Sequence, residues 1–131
     1  MTPPRIVLVD PDFDARRILH AIFAHEWWDV REASELEEGL QIAIEFQPDV
    51  IVTELFPGPP RGSPGVELFV RDVRTASIPL VILTAHALPE SRQRSLGEMP
   101  VLLLRKPLAP LEVVAMASGV LEHPRSPVTN D

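Results

Sequence analysis

Leu80-Val81-Ile82-Leu83-Thr84-Ala85, preceded by Ile78-Pro79, places four apolar residues in succession with no polar residue alternating among them. A strand with one wet face alternates apolar and polar side chains, whereas a strand covered on both faces reads as a continuous apolar run, as in parallel sheets. Three further runs repeat the pattern at fairly even spacing: Ile6 to Val9, Val50 to Val52 and Val101 to Leu104. Helical periodicity fills the gaps. The first helix is expected over about Asp14 to His25, with Ile18, Leu19, Ile22 and Phe23 on one stripe. The second opens with Ser34-Glu35-Leu36-Glu37, whose Ser and Glu have capping-box spacing, runs through Leu40, Ala43 and Ile44, and is closed by Pro48. A third fits Val66 to Arg74 and a fourth roughly Glu90 to Leu96. The last starts at Pro110 with Leu111, Val114, Ala117 and Leu121 facing inward. A short strand at Trp28 to Arg31 completes five strands alternating with five helices. That alternation implies a doubly wound α/β domain with a parallel sheet. Its ligand site is expected at the carboxyl ends of the strands, near the topological switch point.

Length and composition narrow the possibilities. With 131 residues the chain suits a single domain. Its 12 basic and 19 acidic side chains give a formal net charge of −7, which disfavours direct nucleic-acid or anionic-membrane binding. Arginine supplies all the basic side chains but one, Lys106. The absence of cysteine removes disulfides, thiol catalysis and thiolate metal sites. The four histidines, His20, His25, His86 and His123, lack metal-ligand spacing with a carboxylate. No window approaches the apolar length of a membrane span, and the amino terminus lacks a signal-peptide pattern, so a cytoplasmic location is expected.

The residues following the central strands are Asp10-Pro11-Asp12, Glu54, Thr84-Ala85 and Lys106-Pro107. Together with Arg16-Arg17-Ile18-Leu19 and Pro48-Asp49-Val50-Ile51-Val52, this ordered set resembles the receiver domain of bacterial two-component response regulators, over about residues 5 to 122. The resemblance implies a flavodoxin-like sheet of five parallel strands in the order 2-1-3-4-5. It also implies a phosphorylation site in which an acidic pair after the first strand and an aspartate after the third hold Mg²⁺. That third-strand aspartate accepts a phosphoryl group from a histidine kinase. A hydroxyl residue and a lysine then contact the phosphoryl oxygens, positions matched here by Thr84 and Lys106. The chemistry is coherent, since a hard cation takes carboxylate oxygens and developing negative charge takes a hydroxyl and an ammonium.

Three positions depart from the family pattern. The phosphoacceptor position holds Glu54, whose carboxylate projects about 1.3 Å farther than an aspartate's. Displacement of a reacting group by about 1 Å can cost on the order of a hundredfold in rate. The second acidic position holds Pro11; the neighbouring Asp12 can either replace it or cap the first helix. The aromatic residue the family places three positions before the lysine is Leu103. Mg²⁺ held by Asp10, Glu54 and a main-chain carbonyl near Phe56 should therefore bind weakly or not at all. Lys106 is expected to pair with Glu54 or Asp10, and Glu54 either supports the fold in that way or imitates the charge of a phosphorylated state.

The expectation is thus a receiver-like domain over residues 1–122 that signals by protein contact, is not an enzyme and has no aspartyl phosphorylation. Its partner would be a histidine kinase or effector touching about Glu90 to Leu121, the face that mediates dimers in the family, so a homodimer is possible. Two alternatives stand beside it: a phosphorylatable receiver using Asp10 or Asp12 with Mg²⁺, and a flavodoxin-like ligand-binding protein or small enzyme. The loop Leu55 to Gly65, with four prolines and three glycines, is either a rigid lid or a surface insertion. One ring of Trp27-Trp28 should pack while the other stays partly exposed. Residues 123–131 are expected to form a disordered, Pro- and polar-rich tail.

Overall fold

The computed structural model describes residues 2–54, 65–84, 101–106, 108–122 and 129–130. The fourth helix expected at Glu90 to Leu96, the proline-rich loop as far as Pro64, His86 and residues 123–128 lie outside that set. The elements are β1 (Arg5–Val9), α1 (Phe13–His25), β2 (Asp29–Ala33), α2 (Leu36–Phe46), β3 (Val50–Glu54), α3 (Glu67–Arg71), β4 (Leu80–Thr84), β5 (Val101–Arg105), α4 (Pro110–Glu122) and β6 (Thr129–Asn130). Every strand pairing is parallel, and the sheet order is β2-β1-β3-β4-β5-β6. The expected order 2-1-3-4-5 is therefore present, and two residues of the polar tail add a short strand beside Leu102 and Leu103.

The continuous apolar runs behave as two-sided burial requires. Alternate residues of each strand enter opposite layers: Val7, Val9, Ile51, Leu80, Ile82 and Leu103 pack toward α2 and α3. Ile6, Leu8, Val52, Val81, Leu83 and Leu104 pack toward α1 and α4. Gly39 lets α2 lie close on the sheet, because a Cβ built there would stand 2.7 Å from Val9 Cγ2. Phe23 and Trp28 meet edge to face with centroids 5.2 Å apart, while Trp27, 83% exposed and in the left-handed region at φ 68°, turns outward as expected.

Four local expectations need correction. The second helix begins at Leu36, buried against the core, so Glu35 is its N-cap and makes no side-chain cap bond. Glu38 Oε1, rather than Glu37, accepts from the Ser34 amide at 3.0 Å, one position later than the capping-box spacing suggested. The third helix stops at Arg71, not Arg74: Asp72 turns extended and its Oδ1 accepts the Arg74 amide, and the buried Thr75 hydroxyl donates to the Phe69 carbonyl at 2.7 Å. Ile18 and Leu111, placed on inward stripes by periodicity, are 54% and 61% exposed. The buried stripes are Leu19 and Phe23 on α1 and Val113, Val114, Ala117 and Val120 on α4. Among the described residues no helix is long and apolar enough to cross a membrane.

Candidate functional site

Parallel pairing brings the strand ends together. Val9 aligns with Thr53, Glu54 with Leu83, and Thr84 with Arg105, so Asp10, Glu54, Thr84 and Lys106 gather at the carboxyl edge of four neighbouring strands. The Lys106 amide donates to the Thr84 carbonyl at 2.8 Å, which ties the residue after β5 to the end of β4. Asp10 and Thr84 are buried. The Lys106 and Glu54 side chains are 37% and 19% exposed, and Lys106 Nζ stands 2.6 Å from Glu54 Oε2. Of the two carboxylates open to the lysine in the sequence reading, Glu54 is the one it contacts. That Glu54 oxygen is buried, and among the described residues it has no hydrogen-bonding neighbour apart from the ammonium.

The remaining acidic groups are engaged with the backbone. Asp10 Oδ1 accepts the Asp12 amide at 2.8 Å. Asp12 is the N-cap of α1, its Oδ1 accepting from the Ala15 amide at 3.2 Å, so the choice between ligand and cap resolves toward the cap. Leu103 is buried among the residues beneath α2 and α3, an ordinary core position. Phe56, whose carbonyl was a candidate ligand, lies outside the described residues. Among the described residues, no group of three or more His, Asp or Glu side chains is arranged to hold a metal ion. Mg²⁺ demands near-octahedral oxygen coordination at about 2.0–2.1 Å.

Electrostatics follow from the same geometry. Burial pushes the Glu54 carboxyl above the usual glutamate range; the Lys106 ammonium works downward, and the charges of Asp10 and Asp12 work upward again. One ammonium on a partly exposed stem does not cancel the loss of hydration.

A second cluster, not anticipated from the sequence, adjoins the first. Glu32 on β2 receives Arg16 Nε at 2.7 Å, Arg17 Nη1 at 2.5 Å and the ring of His20. Arg16 Nη1 also donates to the Asp10 carbonyl at 2.6 Å, linking this cluster to the end of β1. Burial acts to raise the Glu32 carboxyl, but hydrogen bonds from Arg16, His20 and Arg17 outweigh it and hold the group below its ordinary range. A signal existed: Arg16 and His20, four apart, share one helix face and can meet a common acceptor. Naming that acceptor required knowing that β2 lies beneath α1.

Comparison with solved structures places the fold. A response regulator from Desulfuromonas acetoxidans superposes with a TM-score of 0.76 at 22% identity, covering 93% of this chain and 99% of that one. The chemotaxis protein CheY4 of Vibrio cholerae gives 0.76 at 21% identity, covering 91% and 99%. Among curated proteins, the DNA-binding dual master transcriptional regulator RpaA of Synechocystis is 27% identical over 120 residues, 92% of this chain and 50% of that protein. The phosphate regulon transcriptional regulatory protein PhoB of Klebsiella pneumoniae is 28% identical over 120 residues, 91% of this chain and 52% of that protein. The chain folds as a response regulator receiver domain. No family model matches it. The chain spans about half the length of the curated relatives it matches. Glu54 closes β3, at the carboxyl edge of the sheet.

Proposed function

We propose that this receiver domain acts in two-component signalling by protein contact, with Glu54 held in an ion pair and accepting no phosphoryl group. The supporting observation is the 2.6 Å contact between Lys106 Nζ and Glu54 Oε2. In the family pattern the lysine meets a phosphoryl oxygen; here the longer glutamate reaches the ammonium itself. Asp10 and Asp12 each give one carboxylate oxygen to a backbone amide, and weak or absent Mg²⁺ binding belongs to this reading. The domain is then not an enzyme and needs no cofactor.

Its partner is a signalling protein, a histidine kinase or an effector, met in the cytoplasm through the stretch from about Glu90 to Leu121. The described part of that face comprises β5 and α4 up to Leu121. The regulatory relatives carry about as many residues again outside the matched region, and their output is not assigned to this chain.

Incubation of the full chain with Mg²⁺ and acetyl phosphate, followed by intact mass spectrometry, tests the proposal. The expected result is an unchanged mass. One added phosphoryl group mapping to Glu54 would refute it. A phosphoryl group lost in Asp10→Asn or Asp12→Asn would establish instead a rearranged but working acceptor site.

A further inference from the structure

Between α1 and α4, directly beside the Lys106–Glu54 pair, lies a cavity of about 490 Å³. That volume falls within the roughly 300–1,000 Å³ of small-molecule sites. Its walls are apolar, with Ile18 and Leu19 from α1, Leu83 from β4 and Val113 from α4, while Asp10 and Lys106 supply the polar groups. The two kinds of lining are segregated: Asp10 and Lys106 both follow strand ends, so the polar groups lie at the carboxyl edge of the sheet. Ile18 lines this cavity although it is 54% exposed, which leaves an apolar wall open to an incoming molecule. A wall this apolar with a few convergent polar groups is the usual composition of a ligand pocket.

The charges at the polar end select the ligand. A carboxylate, Asp10, and an ammonium, Lys106, both line it, and the ammonium already faces the carboxylate of Glu54. The charged groups of the lining are thus one of each sign. An anionic head would meet the Asp10 carboxylate, and a cationic head would meet the ammonium. An uncharged head that both donates and accepts hydrogen bonds, such as a hydroxyl or an amide, matches a carboxylate and an ammonium side by side. We infer that the α1–α4 cavity is a binding site for a small amphiphile with an apolar body and an uncharged hydrogen-bonding head. The inference does not depend on whether Glu54 can be phosphorylated.

A pair of fluorescent probes tests it: N-phenyl-naphthylamine, which is uncharged, and anilinonaphthalene sulfonate, which has the same ring system with an added anion. With the full chain, the uncharged probe should brighten saturably at one site per chain. The sulfonate should bind about tenfold more weakly or worse, because its charge approaches uncompensated carboxylate. Ala15, which is half-buried on α1, also lines the cavity, so Ala15→Trp should fill it and abolish saturable binding. Ile18→Trp, at a position exposed enough to leave the fold undisturbed, provides the same test if Ala15→Trp does not fold. Absence of saturable binding by the uncharged probe would overturn the inference. So would binding that survives both substitutions, or equal affinity for the two probes. A dimer in sedimentation that must dissociate before the probe binds would assign the groove to a second copy of the chain, and would equally overturn it.

Discussion

Glu54 and Glu32 are two glutamates on strands of one sheet, both part-buried and both facing basic side chains; burial acts upward on each, yet their carboxyls shift in opposite directions. Glu54 has one ammonium partner at 2.6 Å and two acidic neighbours, and its carboxyl is raised. Glu32 has Arg16, Arg17 and His20, and its carboxyl is lowered. The difference lies in how completely each carboxylate regains the hydrogen bonds it loses on leaving water. Arg16 aims its Nε at Glu32 from a side chain that is itself well buried. Lys106 offers one contact from a flexible and partly exposed stem. An ion pair at short distance is thus compatible with a destabilised charge, as desolvation arguments anticipate.

The largest effect should come from breaking the better satisfied cluster. Glu32→Ala leaves Arg16 and His20 without their anion, and should lower stability by about 2–3 kcal/mol in urea unfolding. The exposed Arg17 contributes little of that. A loss no greater than that of an ordinary surface substitution would show that the cluster is not a support of the α1–β2 contact.

Lys106→Met should have the next largest effect, about 1 kcal/mol after allowing for solvent screening at a partly exposed amine. The loss arises because Glu54 is left buried beside Asp10 with no counter-charge. Combining Lys106→Met with Glu54→Gln should recover most of it, since removing both members of a pair is often close to neutral. A double variant no better than Lys106→Met would mean that the lysine supports the fold by some other contact.

Glu54→Gln alone should change stability at neutral pH by less than about 0.5 kcal/mol, with any change toward greater stability. The pH dependence separates the two glutamates by sign. A raised folded-state value means that the stability linked to Glu54 is present below the usual glutamate value, near 4.5, and is lost as pH rises through the shifted value. A lowered value means that the stability linked to Glu32 is present above about 4.5 and is lost as pH falls through the shifted value. Unfolding midpoints measured against pH should therefore lose part of their acid limb in Glu32→Gln. Glu54→Gln should remove a decline that begins just above pH 4.5. Parallel curves for the two variants would dissolve the contrast.

Much of this was legible in the sequence because it rests on local patterns. Apolar runs such as Leu80 to Leu83 declare two-sided burial, and the residue after each run sits at the site edge by construction. The position of Lys106 was legible in the same way. Less legible were features decided by neighbours distant in the chain. Ile18 and Leu111 satisfy helical periodicity, yet both are exposed. Glu32 is 16 positions from Arg16, and no spacing rule connects a helix residue to the strand beneath it. The start of α2 lies one residue later than the capping pattern suggested, at the buried Leu36.

The central claim is that Lys106 holds Glu54 in place of a metal-dependent phosphorylation site. Its most direct test is a carbon-detected NMR titration of the Glu54 side-chain carboxyl, with and without millimolar Mg²⁺. The carboxyl should titrate above the usual glutamate value, climb further in Lys106→Met, and remain unmoved by Mg²⁺ in the unsubstituted chain. A Glu54 carboxyl that titrates below the usual value, or shifts saturably with Mg²⁺, would contradict the account.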